Sequence, residues 1–198
     1  MTTQFPTTPS ITFFDPLAEF LGAGDGVFHY TFDDVVRLSG HACPTVAGSF
    51  LMVIHAMHAL YGDDIPVRGG VRVSLPGSVD QGVNGPISQI FTMLTGATAE
   101  NGFHGLGGQY ARDGLMEFHS EPNGAFIFQR TDNGKSVTVT YDSSAITPDP
   151  KMPAFMQQAL QGSGGDPVRQ QFQEMWRGRV IRILEDAGRR TVSAEEQG

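Results

Sequence analysis

LMEFHSEPNGAFIFQRTDNGKSVTVTY, residues 115–141, contains three strand-like runs separated by two asparagine-glycine turns. The runs are Leu115 to His119, Ala125 to Arg130 and Ser136 to Tyr141. Pro122-Asn123-Gly124 and Asp132-Asn133-Gly134 carry residues suited to tight chain reversals, so the stretch reads as a meander of consecutive strands. It follows a half of the chain that alternates helix, strand and helix. Together the two halves predict an α+β fold, an antiparallel-rich sheet packed against helices.

Upstream, the main helix is expected from Pro44 to about Leu60. Val46, Phe50, Val53, Ile54, Met57 and Leu60 recur at three- and four-residue steps and form one apolar stripe. His55 falls opposite that stripe and His58 at its border, in solvated or capping positions. Gly70 to Leu75 alternates like a strand, and Asn84 to Leu94 reads as a second helix closed by Gly96. Before these come a threonine- and proline-rich arm, a short helix from Leu17 to Leu21, a strand from Val27 to Thr31, and a helical turn capped by Asp33 or Asp34.

Downstream, Pro148, Pro150 and Pro153 mark a connector, followed by helical segments at 154–161 and from Asp166 to about Ala187. The second carries Phe172, Met175, Trp176, Val180, Ile183 and Leu184, a stripe that must pack on the core or on a partner subunit. Gly188 to Gly198 is polar and reads as frayed. Residues 1–145 thus form an α+β core with an N-terminal arm, and 146–198 a helical extension of the same domain.

Composition narrows the function. At 198 residues the chain suits one domain with a real core, and a formal net charge of −8 without a basic cluster argues against nucleic acid as a partner. A single cysteine excludes an internal disulfide, a four-cysteine zinc finger and an iron–sulfur cluster held by one chain. The N-terminus lacks the pattern of a signal peptide, and no run approaches a membrane span. A cytoplasmic protein with a small-molecule substrate or ligand, and no membrane partner, is expected.

That single cysteine stands in Gly40-His41-Ala42-Cys43-Pro44, where a loop turns into the main helix. Pro44 suits the first helical turn, which puts Cys43 at or next to the N-cap, where free N–H groups and the helix dipole favour a thiolate. A lone cysteine is often only a small buried hydrophobe. The adjacent imidazole, the proline and the glycine-rich frame point instead to metal ligation or nucleophilic chemistry, with Cys43 and His41 as the candidate catalytic and cofactor-binding pair.

The same residues, with Gly48 beyond them, resemble the Gly-His-x-Cys-Pro signature of the FmdE-like family, named after a component of formylmethanofuran dehydrogenase. Leu94-Thr95-Gly96-Ala97-Thr98 and Asp113-Gly114 are similar to two further family motifs, in the right order, across roughly residues 30 to 145. The resemblance implies an α+β core whose His-x-Cys pair, His41 and Cys43, faces a cleft and holds a metal, usually zinc. It also implies a divergent, stand-alone member. The stretch Gly82-Val83-Asn84-Gly85-Pro86 has no cysteine where the family often has one, and the C-terminal zinc finger of many members is missing.

Zinc normally takes three protein ligands plus water, or four. His104, framed by glycines in Gly102 to Gly108, is the first candidate for a third; His119, Asp80 and Asn84 follow. That glycine-rich loop is not a phosphate loop, because no Lys-Ser/Thr follows it. Two alternatives stand beside the metal site. Haem could take Cys43 or His41 as axial ligand, with phenylalanines and methionines around the macrocycle. A non-catalytic interaction subunit, or a homo-oligomer, would dock through an exposed stripe at Phe172, Trp176, Val180 and Ile183.

Overall fold

A computed structural model describes residues 5–118 and 124–197. Two antiparallel strands, β1 (Ile11–Phe14) and β2 (Val27–Tyr30), flank the short helix α1 (Pro16–Phe20). Asp15 caps α1 by accepting the N–H groups of Leu17 and Ala18 at 3.0 and 3.2 Å. Helix α2 (Phe32–Ser39) follows. Its N-cap is Thr31, and Asp34 reaches back to the Thr31 N–H at 2.9 Å. The aspartates expected as caps therefore lie inside the first turn, where their charge complements the helix dipole.

The central helix is α3 (Pro44–Tyr61). The single stripe read from its sequence understates its burial: Ala47, Gly48, Ser49, Leu51, Met52 and Ala56 are buried along with most of the predicted positions. A helix that is apolar nearly all round belongs inside a protein, and α3 is covered from several sides. Its neighbours are α2, α4 (Asn84–Thr95), α6 (Gly165–Asp186) and one face of the main sheet. Of its two histidines, His55 donates from Nε2 to the carbonyl of Ala187 at 2.8 Å and so ties down the end of α6, while His58 is exposed.

The main sheet contains β3 (Val71–Leu75), β4 (Met116–Phe118), β5 (Phe126–Arg130), β6 (Ser136–Tyr141) and β7 (Val192–Gln197), in the order β4-β3-β5-β6-β7. The fold class is α+β, as the sequence predicts, but the expected three-strand meander is not formed. β4 lies beside β3 and runs parallel to it, while β5 pairs with the other edge of β3. The parallel pair β3–β4 is joined through α4, the kind of crossover that parallel strands need. The turn at Pro122-Asn123 lies outside the described residues. The second turn holds: β5 and β6 form an antiparallel hairpin, with the Lys135 N–H donating to Asn133 at 2.9 Å.

The C-terminal segment also differs from expectation. The polar tail is not frayed through its described residues but forms the edge strand β7, paired with β6 from Tyr141↔Val192 to Ser136↔Gln197. An edge strand needs only one apolar face, which Val192 and Ala194 supply, while Glu195 and Glu196 keep the open edge charged. Helix α5 (Met152–Leu160) and α6 form the helical hairpin before it. Val180, Ile183 and Leu184 of α6 are buried in the chain's own core, so the lower half of the predicted docking stripe is core packing. No helix among the described residues is long and apolar enough to cross a membrane.

Candidate functional site

The loop His41-Ala42-Cys43 bridges α2 and α3. Gly40 ends α2 in the left-handed conformation (φ 73°), which a side chain would strain, and Cys43 starts α3 as an extended N-cap. Its Sγ accepts the N–H of Val46 at 3.4 Å, and Pro44 occupies the first turn. The thiol is half-buried and not in a disulfide. His41 is exposed, and its Nδ1 donates to the carbonyl of Ser39 at 3.0 Å, which leaves the lone pair of the neutral ring on Nε2.

Two side chains from the far end of the sequence fix this loop. Trp176 of α6 donates its indole N–H to the carbonyl of Ala42 at 2.8 Å. Tyr141, at the end of β6, donates its hydroxyl to the carbonyl of Pro44 at 2.7 Å. The Tyr141 ring lies directly on Gly48, where an added Cβ would come within 2.3 Å of it. Burial pushes the Tyr141 hydroxyl well above its ordinary pKa, an effect that Arg179 only partly offsets and that Cys43 reinforces. Tyr141 is therefore a fixed, protonated donor and not a proton carrier.

Beside Tyr141 opens a cleft of about 760 Å³, lined by residues including Thr45, Met52, Pro76, Asn84, Phe126 and Tyr141. Asn84 is buried, and its amide nitrogen donates to the carbonyls of Pro76 and Ser78, holding the turn between β3 and α4. Asp80 is exposed on that turn and accepts from Ser78 at 2.6 Å.

His104 lies elsewhere. Its Nδ1 pairs with Asp113 at 2.8 Å, next to Arg112, which accompanies Gly69 and Gly70 near Tyr61. Tyr61 is the last residue of α3 and Cys43 its N-cap, so the helix, about 27 Å long, separates the two ends. Accordingly, no group of three or more His, Cys, Asp or Glu side chains that could hold a metal occurs among the described residues. His119 lies outside them. The sequence reading missed Tyr141 and Trp176 as supports of the loop. The one available signal was the pairing of a side-chain-free helical position, Gly48, with an aromatic strand end.

The class that emerges is an α+β protein with a cysteine-capped central helix, an adjacent imidazole and a cleft at that helix's N-terminal end. Residues 38–192 match the family described as FmdE, molybdenum formylmethanofuran dehydrogenase operon, and the chain belongs to that family. A crystal structure of a tungsten formylmethanofuran dehydrogenase FmdE-like protein from Syntrophus aciditrophicus is similar at 14% identity. The match covers 85% of this chain and 72% of that one, with a TM-score of 0.44. No curated protein matches the sequence.

Proposed function

We propose that the chain is a small-molecule-binding metalloprotein of this family, with a transition metal, zinc by ligand preference, held by His41 Nε2 and Cys43 Sγ at the N-terminal end of α3, close to a cleft that Thr45 and Tyr141 line. The observation that carries this reading is the N-cap placement of Cys43. There the sulfur accepts a backbone N–H and faces the positive end of an 18-residue helix, next to a histidine whose other ring nitrogen is already anchored.

The donor set fits the metal in kind and leaves it incomplete in number. One imidazole and one thiolate suit zinc, and positions not filled by protein belong to water or to the molecule in the cleft. When bound, such an ion supplies Lewis acidity toward an oxygen atom in the cleft. The chain's own residues do the positioning. Trp176 and Tyr141 clamp the carbonyls on either side of Cys43, and Asn84 holds one wall of the cleft rigid. Thr45 and Gln81 give that wall hydrogen-bonding capacity for a polar ligand.

The two-ligand count favours one competing reading, in which Cys43 works as a metal-free reactive thiol. Haem has less support, because Phe13, Phe32, Phe50, Phe91, Phe128 and Met57 are all fully buried core. Elemental analysis of protein prepared without a metal-binding tag tests the proposal. Near-stoichiometric metal in the wild type, lost in Cys43→Ser and in His41→Ala, is the expected result. A metal-free wild type whose Cys43 still alkylates readily would replace the metal reading with the thiol one.

A further inference from the structure

We propose a second ligand site at the opposite end of α3, where a pocket of about 300 Å³ takes the oxyanion of a small carboxylate- or phosphate-bearing molecule. Its walls include Tyr61, Arg68, Tyr110, Arg112, Arg130 and Asp132. Charge is the first support. Asp15 sits between two guanidiniums, Arg68 and Arg112, at 2.7 Å from each. Its carboxylate also accepts the N–H groups of Leu17 and Ala18, so it has little capacity left. Arg130 has its own partner in Asp132, with contacts of 2.9 and 2.6 Å. One carboxylate against two guanidiniums leaves a net positive charge here, in a chain whose formal charge is −8.

The second support is an unanswered donor. Arg112 is 7% exposed, yet its Nη1 has no hydrogen-bond partner among the described residues. Buried charged donors are rarely left without an acceptor, and leaving one so is costly. The flanks of Nη1 are glycines: a Cβ would come within 2.1 Å of it at Gly69 and 2.8 Å at Gly96. The N–H groups of Gly69 and Gly70 already donate to the carbonyls of Thr95 and Val67, which fixes the loop around the guanidinium. The guanidinium's charge is therefore incompletely compensated, which adds to the positive potential of the pocket wall that Arg112 helps to form.

The third support is strain. Tyr110 takes a left-handed backbone (φ 61°), an outlier for a bulky side chain, and its ring stacks on Phe20 at 5.3 Å. Such strain persists where the surroundings enforce it, and it gathers at ligand-binding positions. Here it holds an aromatic ring at the edge of a cationic pocket. The site shares no lining residue with the cleft near Cys43.

The test is to titrate the isotopically labelled full chain with sodium phosphate and, separately, sodium succinate, at ionic strength held constant with sodium chloride. Backbone amide shifts at Gly69, Gly70, Tyr110 and Ala111 are the readout. Saturable shifts confined to this region, weakened at least tenfold in Arg130→Gln and in Tyr110→Gly, are expected. A response to one anion only supports the site and identifies the head group. If neither anion gives a saturable shift there, or if both folded variants respond like the wild type, the site does not exist.

Discussion

The aromatic ring of Tyr141 rests on the backbone of α3 at Gly48, so closely that the position has no room for a methyl group. The contact joins the end of β6 to the first turns of the central helix, just over one turn beyond Cys43. Gly48→Ala gains about 1 kcal/mol of helix propensity but forces the ring away, at about 1–3 kcal/mol. The expected result is a net loss of stability in chemical denaturation together with faster alkylation of Cys43. A more stable Gly48→Ala protein with unchanged alkylation would show that the ring does not brace the loop.

Trp176 makes the same loop depend on α6. Trp176→Phe keeps an aromatic ring but removes the indole donor to Ala42, a loss of about 1 kcal/mol. Alkylation of Cys43 should accelerate in this variant while the circular dichroism spectrum stays unchanged. Equal rates in the two proteins would mean that the hydrogen bond does not restrain the cysteine.

The helices and most strands were legible because their periodicity and their glycine and proline boundaries act locally. The Cys43 cap was legible for the same reason: Pro44 marks the first turn from the sequence alone. Partners far apart in sequence were not. Nothing near Met116 says that its strand pairs in parallel with β3, since α4 makes that choice. The charged tail at Glu195 and Glu196 looked unstructured because an edge strand needs so little apolar material. His104 looked like a ligand because glycines frame it, yet its partner is Asp113. The supports from Tyr141 and Trp176 cross 97 and 134 residues of sequence, beyond any local pattern.

Asp186 fixes the turn between α6 and β7, accepting from both the backbone N–H and the side chain of Arg190 at 2.9 and 2.7 Å. Burial works to raise its pKa, but these donors outweigh it and hold the carboxyl below its ordinary value. A carboxylate depressed in the folded state adds stability that is full above about pH 4 and fades as pH falls through the folded-state value. Asp186→Asn should cost about 2 kcal/mol at neutral pH and shrink the difference in denaturation midpoint between pH 7 and pH 3. A variant with the wild-type pH profile would assign the acid sensitivity to other carboxylates.

Asp15 holds three elements at once: the N-terminus of α1, Arg68 beyond α3, and Arg112 before β4. Removing it leaves two largely buried guanidiniums without their shared anion. Asp15→Ala should therefore destabilise the fold by about 3–5 kcal/mol, the largest effect predicted for a polar residue here. A loss below about 1 kcal/mol, the range of surface ion pairs, would show that the two arginines find other acceptors.

In the proposed site, His41 and Cys43 ligate one metal ion together. The most direct test is to add cobalt(II) to the metal-stripped protein and record its absorption spectrum, because a sulfur-to-cobalt charge-transfer band reports thiolate ligation and the visible bands report coordination number. The expected spectrum has a charge-transfer band that saturates at one equivalent, disappears in Cys43→Ser, and weakens with altered visible bands in His41→Ala. A spectrum identical to aqueous cobalt, or one untouched by either substitution, would contradict it.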